Sequence, residues 1–413
     1  MQPITQQIRK ALAPYREKMT QLTKTLVAIP TENPPGRAYA ECVRVLGDML
    51  RGIGLKPEQP RTAAKHCLTA LHGKGARTLY FHGHYDVVPA ANESQFRPIV
   101  RRGCLFGRGA ADMKGGLVAM LFAVKVLEAL GVRLDGRIGL VFVPDEETGG
   151  ASGSQALEQL GLLGKEGIGM LTAEPTGGII WNASRGAISL RVTVKGKPAH
   201  VGLECRGINA FERALDVTAA LRGLKRKIAA RKTKFRVSPE AARKSILMLG
   251  GQCEGGTNFN LVPAEFSFTV DRRINPEEDF ATEKERLLRI LRAYQRNGAG
   301  LQWEVIQEGG AAGVSENDPL AQALARSAVE ITGKTPAVEM CPGLLETRFY
   351  AEKGVPALAY GPGLLSVAHG PNEFIRLNDI ENCAAIYALT AVKLLGVPPK
   401  AGGGISSRIA GKS

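Results

Sequence analysis

The chain has 413 residues, of which 44% are hydrophobic, and no apolar run approaches the roughly 20 residues that a membrane helix requires, which argues against a membrane protein. A chain of this length has more residues than one ordinary hydrophobic core supports, so we expect two domains, or one domain that carries an inserted second domain. The formal net charge is +15, but residues 222–244 and the tail from Lys400 carry +12 of it, which argues against a basic surface spread over the whole protein.

The first part of the chain alternates helices and strands. Residues that favour turns separate these elements, and side chains with acidic or imidazole groups follow the strands. This arrangement predicts an α/β sheet with a site beyond the carboxyl ends of its strands. The predicted elements are a helix at 4–28 that ends in the loop 31–36, a helix at 37–53, a strand at 78–84, a helix at 115–130 and a strand at 137–145.

The pattern changes near Trp181 to strand, helix, strand, strand, helix, strand, which is the split βαβ order of a small α+β domain. From about residue 315 the helix and strand alternation resumes. The predicted elements of the middle part are strands at 187–195, 245–250, 264–271 and 301–307 and helices at 207–224 and 276–294, followed by a helix at 319–331 and a strand at 355–360. We therefore predict one α/β domain (1–181 and 310–398), an inserted ferredoxin-like domain (182–309) and a disordered tail (399–413).

The basic segment 222–244 contains ten Lys and Arg residues against the single Glu240, and Phe235 is its only aromatic residue. We interpret it as a solvated helix and loop and expect no nucleic-acid partner. Steering of an anionic substrate and binding of a nucleic acid are the alternatives.

The seven cysteines are scattered, and none forms a CxxC pair. Residues 1–10 lack the basic and then apolar order of a secretory signal. We therefore expect a cytoplasmic protein with buried or half-buried thiols, in which any metal site uses nitrogen and oxygen ligands.

Five short segments place a metal-preferring side chain beside a turn. Two imidazoles and three carboxylates can hold two zinc ions, with one carboxylate bridging, and a remaining Glu is free to act as a base. The combination predicts a dinuclear metallohydrolase. The segments are His84-Tyr85-Asp86, residues 111–115 around Asp112, residues 145–149 around Glu146 and Glu147, residues 173–176 around Glu174, and residues 368–371 around His369.

Taken singly, each segment has a simpler interpretation. His84 and Asp86 could form a capped turn, and His82 is an alternative ligand that lies deeper in the same strand. Asp112 precedes an apolar helix and could be its N-cap residue.

The remaining candidates are equally ambiguous alone. Glu146 and Glu147 could belong to an ordinary charged loop. Alternatively, one of them could coordinate a metal while the other contacts a metal-bound water. Glu174 is held extended by Pro175, and His369 lies in a loop ahead of Pro371. The order H, D, E, E, H of the five segments carries the prediction.

These segments, read as HGHYDVVP, GRGAADMKGG, DEETG, AEPT and AHGPNEF, resemble the co-catalytic zinc hydrolases that include acetylornithine deacetylase, succinyl-diaminopimelate desuccinylase, aminoacylase-1 and carboxypeptidase G. The resemblance runs from about residue 20 to 395 and implies the same fold for this chain. It also implies that the inserted domain is a lid that mediates formation of a homodimer.

The resemblance implies roles for particular residues. One zinc would bind His84, Asp112 and Glu174, and a second would bind Asp112, Glu147 and His369. Asp86 would orient His84, Glu146 would be the general base, and His200 would reach a partner subunit's site to stabilise an oxyanion. Asn260, Arg273 and Arg348 match positions that bind the substrate carboxylate or carbonyl, although ion pairing at the surface is an alternative for the neighbouring Arg272.

One departure concerns the segment that ends at Arg348. Relatives often have Gly-Gly-Thr-Asp-Ala-Arg there, whereas this chain has Gly343-Leu344-Leu345-Glu346-Thr347-Arg348, so the acid is longer and the first Thr is lost. The pocket for the acyl group is therefore not defined by the resemblance.

We expect hydrolysis of the amide of an N-acyl amino acid or a small dipeptide-like substrate, with two zinc ions that cobalt or manganese could replace. A carboxypeptidase or dipeptidase of the same family is the first alternative. A catalytically silent relative that binds an anionic partner through residues 222–244 is a remote one.

Overall fold

The computed structural model describes residues 2–61, 63–298 and 300–396, and the predicted tail 399–413 lies outside these ranges. The described part of the chain contains a large mixed sheet, a separate four-stranded antiparallel sheet and a small three-stranded sheet. No helix in the described ranges is both long and apolar enough to cross a membrane.

The large sheet has the strand order β11-β6-β13-β5-β1-β4, and β12 pairs with β6. Strands β1, β4, β5 and β13 run parallel, whereas β11 and β13 pair antiparallel with β6. The strands are β1 (Leu68–His84), β4 (Asp135–Val143), β5 (Gly167–Thr172), β6 (Ile180–Ser184), β11 (Ala312–Gly313), β12 (Val338–Cys341) and β13 (Ala357–Ala359). The predicted mixed α/β sheet is therefore confirmed.

Helices cover both faces of this sheet because successive strand residues point to opposite sides. Leu79 and Phe81 of β1 belong to the core under α4 and α10, whereas Tyr80 belongs to a second cluster with Leu157 and Tyr350. The helices of this part are α1 (Ile4–Leu12), α2 (Arg16–Val27), α3 (Tyr39–Gly52), α4 (Gly115–Ala129), α5 (Ser154–Gln159), α8 (Pro319–Thr332), α9 (Thr347–Ala351) and α10 (Leu377–Leu395).

The four-stranded sheet has the order β10-β7-β9-β8, with every neighbouring pair antiparallel. Two helices pack on it through a separate core that includes Leu190, Leu221 and Leu287. Its elements are β7 (Gly186–Lys195), α6 (Ala210–Ala229), β8 (Ile246–Gly255), β9 (Glu265–Ile274), α7 (Phe280–Arg296) and β10 (Leu301–Gly309). The predicted split βαβ order of the insertion is confirmed.

The limits of the insertion follow from the strand pairing. Strand β6 continues to Ser184 within the large sheet, and β7 begins at Gly186 in the other sheet. We therefore propose that the inserted domain comprises residues 186–309, which starts slightly later than the 182–309 expected from the sequence.

Several elements differ from the predictions in detail. The first helix is two helices, because the turn Ala13–Tyr15 contains Pro14, which cannot donate a backbone hydrogen bond. Strand β1 begins at Leu68 instead of residue 78, in a glycine-containing stretch without an apolar run. The sequence patterns also missed the small sheet formed by β2 (Ile99–Arg101), β3 (Cys104–Phe106) and β14 (Phe374–Arg376).

The basic segment lies at the end of α6 and in the loop that follows it. Arg231 forms ion pairs with Glu278 and Glu283, and Arg243 pairs with Glu240. Part of the positive charge is therefore compensated within the inserted domain. All seven cysteines are free, and four of them are buried.

Candidate metal centre

The carboxyl ends of the parallel strands β1, β4 and β5 meet at one edge of the large sheet. His84 is the last residue of β1, the turn Glu146–Thr148 follows β4, and Glu174 follows β5. Because parallel strands end on the same side, residues far apart in the sequence come together there.

The first group of candidate ligands consists of His84, Asp112 and Glu174, all of which are buried. Nε2 of His84 lies 3.2 Å from Oδ1 of Asp112 and 3.9 Å from Oε1 of Glu174. One nitrogen and two carboxylate oxygens at this spacing can surround a single divalent cation.

The second group consists of Asp112, Glu147 and His369. Nε2 of His369 lies 3.2 Å from Oδ2 of Asp112 and 3.1 Å from Oε1 of Glu147. The His369 side chain is 49% exposed, so this group lies at the open side of the site. Asp112 belongs to both groups and directs one oxygen to each, as a bridging carboxylate does.

Asp112 reaches this position from an irregular turn, Ala110–Lys114, that leads into α4. A Cβ atom at Gly116 would lie 2.6 Å from the carbonyl oxygen of Ala173, so a glycine is required where α4 passes the strand end that carries Glu174. This close approach brings Asp112 and Glu174 into one cluster.

Asp86 connects His84 to the loop after β4. Its Oδ1 lies 3.2 Å from Nδ1 of His84, and its two oxygens accept hydrogen bonds from the backbone N–H groups of Glu146 and Glu147. A proton on Nδ1 leaves the lone pair of Nε2 directed at Asp112, which is the tautomer that a metal ligand needs. Asn33, which no sequence pattern marked as a site residue, also donates to Asp86, at 3.0 Å.

The site holds more acidic groups than the two imidazoles balance. Burial, together with the nearby Asp112 and Glu147, raises the pKa of Glu174 to about 8. Burial, together with Glu174 and Glu147, also raises the pKa of Glu146 well above its usual range. An excess of buried carboxylates fits residues that hold divalent cations.

The same carboxylates raise the pKa values of the two imidazoles, His84 and His369. Hydrogen bonds with Asp112 and Glu147 raise the pKa of His369 to about 10. Burial lowers the pKa of His84, but contacts with Asp112 and Asp86 outweigh burial and raise it well above its usual range. A bound cation would replace the protons that these groups share.

His82 lies in a different cluster from the metal-ligand groups. Its Nε2 contacts the buried carboxylate of Glu346, and its Nδ1 lies 3.0 Å from the hydroxyl of Tyr350. Ser154 donates to the same Glu346 oxygen at 2.8 Å. The longer acid in the segment before Arg348 therefore pairs with His82, which explains why His82 is absent from the two candidate groups found among the described residues.

His200 and Asn260 are neighbours in the inserted domain. His200 is exposed and precedes the turn Val201–Arg206, where its Nδ1 accepts a hydrogen bond from Gly202. The N–H of Val201 donates to the carbonyl oxygen of Asn260 at 2.9 Å. Neither residue belongs to the metal-ligand groups of the described chain.

The two candidate arginines already have protein partners. Arg273 forms a bidentate pair with Asp271, at 2.7 and 3.0 Å. Arg348 is buried and donates to the carbonyl oxygens of Leu345 and Gly149, both at 2.9 Å. The neighbouring Arg272 is also buried. It pairs with Glu278 and Glu283, so the alternative of an ion pair at the surface is wrong for this residue.

Comparisons with known proteins agree with this architecture. The chain is 28% identical over 368 residues to a succinyl-diaminopimelate desuccinylase of Alkalilimnicola ehrlichii, which covers 86% of this chain and 94% of that protein. It is 27% identical over 398 residues to an N-formyl-4-amino-5-aminomethyl-2-methylpyrimidine deformylase of Halalkalibacterium halodurans, covering 88% of this chain and 91% of that protein.

A solved structure of similar fold is the M20 family metallo-carboxypeptidase Sso-CP2 from Sulfolobus solfataricus, with a TM-score of 0.77 at 20% identity, covering 91% of this chain and 99% of that one. A dinuclear metal binding peptidase of the M20 family from Bacillus subtilis is also similar, with a TM-score of 0.68 at 14% identity, covering 93% of this chain and 99% of that one. At these identities the similarity concerns the fold.

The sequence profile described as Peptidase family M20/M25/M40 matches residues 80–393, which include every candidate ligand. The chain therefore belongs to peptidase family M20/M25/M40 and is a metallohydrolase that acts on amide or peptide bonds.

Proposed function

We propose that the protein removes the acyl group from an N-acyl amino acid, using two zinc ions that cobalt or manganese can replace. The observation that carries the two-metal part of this proposal is Asp112, whose Oδ1 and Oδ2 each lie 3.2 Å from a different histidine. The desuccinylase and deformylase relatives support a deacylase, since both names describe removal of an acyl group.

The donor set fits zinc, because the two groups offer imidazole nitrogens and carboxylate oxygens and include no cysteine. His84, Asp112 and Glu174 would hold one ion, and Asp112, Glu147 and His369 the other. Bound there, the ions would lower the pKa of a water toward ~7 and polarise the substrate carbonyl.

Glu146 is the proposed general base. It lies beside the ligand Glu147, and the carboxylate of Asp86 fixes its backbone N–H at 3.2 Å. Glu146 takes a proton from the attacking water and passes that proton to the leaving amine nitrogen.

His200 would stabilise the oxyanion that forms on the substrate carbonyl, with Asn260 beside it. We propose that these residues serve the site of a partner subunit in a homodimer. The edge strand β8 and helix α6 of the inserted domain support this proposal, because they expose Met248, Phe211 and Leu215. Exposed apolar side chains beside an unpaired strand edge are typical of a protein interface.

Arg273 and Arg348 are the proposed residues for the substrate carboxylate. Arg273 is partly exposed and could exchange Asp271 for a substrate carboxylate. Arg348 is buried, and its bonds to Leu345 and Gly149 favour an indirect role in which it shapes the pocket wall.

A carboxypeptidase or dipeptidase activity is the second candidate. The segment 343–348, which departs from the pattern that relatives of the family often show, keeps this candidate open, because Glu346 there pairs with His82 inside the protein. An altered pocket loop changes which acyl group the site accepts.

A panel of substrates distinguishes the two activities. The zinc-loaded protein would be assayed with N-acetyl, N-formyl and N-succinyl amino acids and with dipeptides, and kcat/KM would be compared. We expect the highest values for an N-acyl amino acid. Higher kcat/KM values for dipeptides would favour the peptidase activity over the deacylase activity. If the protein binds two zinc ions and hydrolyses none of these substrates, both proposed activities are contradicted.

A further inference from the structure

The two candidate metal positions differ in how the protein holds their ligands. His84 and Glu174 are buried at the ends of neighbouring parallel strands. His369 instead lies in a loop, has a left-handed backbone with φ of 62°, and exposes about half of its side chain. A loop residue of this kind needs support from outside its own segment.

That support comes from Arg108 and Glu373, which are both buried. Their side chains form an ion pair at 2.7 Å. Arg108 also donates to the carbonyl oxygen of His369 at 3.0 Å, and the other carboxylate oxygen of Glu373 accepts from the backbone N–H of Asp112 at 3.1 Å. A chain of three contacts therefore joins the backbones of Asp112 and His369.

The same pair fixes the turns on either side of it. Glu373 accepts a second hydrogen bond from the N–H of Ala111 at 3.0 Å, and its carbonyl oxygen accepts one from Gly107 at 3.0 Å. Gln95 donates to the carbonyl oxygen of Gly370 at 3.1 Å. The loop of His369 and the turn of Asp112 are thus held as one unit.

The cost of burying this ion pair suggests a role beyond stability. Burying two charges is expensive even when they are paired, and apolar side chains often stabilise a protein equally well. In addition, Nε of Arg108 is buried and has no hydrogen-bond partner among the residues that the structure describes. The pair thus leaves one buried N–H without a hydrogen bond but forms hydrogen bonds to the backbones of both Asp112 and His369. This pattern is better explained if the pair holds these two residues in place than if it only stabilises the fold.

We propose that Arg108 and Glu373 are positioning residues that set the distance between Asp112 and His369 and thereby the affinity of the second metal position. The first position depends on them less, because only one of its three ligands, Asp112, contacts the pair, whereas strand ends hold His84 and Glu174. This inference rests on the proposed two-metal function.

The test measures stepwise zinc binding to the full chain, by competition with a chromophoric chelator and by metal analysis after dialysis. The variants are Glu373→Gln and Arg108→Lys, which change one partner with little change in volume. We expect the weaker of the two binding steps to lose about 10-fold to 100-fold in affinity and the tighter step to stay within about 3-fold of the wild type.

Glu166→Gln is the matched control. It breaks the Arg137–Glu166 ion pair, which lies near the amino ends of β4 and β5, at the opposite edge of the sheet from the candidate site. We expect wild-type zinc binding in this variant. Thermal unfolding of the metal-free proteins shows whether a variant is folded, and Arg108→Lys decides the matter if Glu373→Gln does not fold.

The outcomes separate this inference from the proposed function. A wild-type protein that binds fewer than two zinc ions would contradict the two-metal function itself. Two tight zinc ions in the wild type and unchanged stepwise affinities in both variants would overturn only the positioning role. An equal loss at both steps would also overturn it, because the pair would then support the whole site.

Discussion

The two oxygens of the Asp112 carboxylate face different histidines, and Oδ2 lies 3.2 Å from Nε2 of His369. Since Asp112 belongs to both candidate groups, we expect Asp112→Asn to weaken the binding of both zinc ions. We expect His369→Ala to weaken only one of them. Metal analysis of the dialysed proteins would measure the number of zinc ions retained, and two retained ions in Asp112→Asn would contradict a bridging role.

Glu146 is expected to act in proton transfer and not in metal binding. Glu146→Ala and Glu146→Gln should therefore reduce kcat by about 100-fold or more, because general-base catalysis contributes about that factor. Both variants should retain the zinc content of the wild type. Measured kcat values and metal analysis test this prediction, and an unchanged kcat would remove Glu146 from the base role.

The metal-free protein should lose stability as the pH rises. Glu174 has a pKa of about 8 in the folded chain, above its usual value, and His369 has a pKa of about 10. Both groups bind a proton more tightly when folded, so the free energy of unfolding falls from about pH 5 to 8 for Glu174 and from about pH 6.5 to 10 for His369.

Each proton held only by the folded state changes the free energy of unfolding by about 1.4 kcal/mol per pH unit. Urea unfolding of the metal-free protein at pH 6, 7 and 8 would measure this slope. The zinc-loaded protein is the control, and we expect a shallower slope because the cations take the place of the protons. Metal-free stability that rises over this range would contradict the prediction.

Breaking the buried pair of His82 and Glu346 should destabilise the protein. Glu346→Gln leaves His82 and Ser154 facing an amide in a buried position, and losing a buried hydrogen bond to a charged carboxylate costs about 1.5 to 3 kcal/mol. Urea unfolding would measure the loss. The exposed pair broken by Glu166→Gln should cost less than about 1 kcal/mol, and an equal cost in both variants would argue against a stabilising contact between Glu346 and His82.

A subunit-mixing experiment tests whether His200 acts on the partner's site. We expect His200→Ala and Glu146→Gln each to be nearly inactive as separate proteins, although His200 is exposed and its loss should leave the fold intact. In mixed dimers, one site would combine an intact Glu146 with an intact His200. Renewed activity after mixing and re-association would therefore support action between subunits, and its absence in demonstrated mixed dimers would contradict it.

The sequence alone determined much of the fold, because the relevant signals are local. The apolar helix at 115–130 is α4 (Gly115–Ala129), and the strand predicted at 187–195 is β7, although most of β7 is buried and not half-exposed as its alternation suggested. The order of strands and helices also predicted the inserted domain. The predicted single helix at 4–28 was wrong at Pro14, where the chain forms a short turn between two helices.

The candidate ligands were also found from the sequence, since each lies beside a turn that follows a strand or precedes a helix. What the sequence left open was the choice between His82 and His84, which are two residues apart. The packing favours His84 as the ligand, because Glu346 and Tyr350 contact His82, whereas Asp112 contacts His84. The support from Arg108 and Glu373 was likewise invisible in the sequence, because their pairing depends on contacts between distant segments.

The sequence by itself determined which chemical groups this protein offers for metal binding and in what order, because side-chain chemistry and turn preferences are local properties. The tertiary structure alone decided which of these groups meet and how firmly each is held. Parallel strands bring His84 and Glu174 to one edge of the sheet, and a buried ion pair fixes the backbone of His369 relative to that of Asp112. Distances of this kind arise from long-range packing, which no local pattern records.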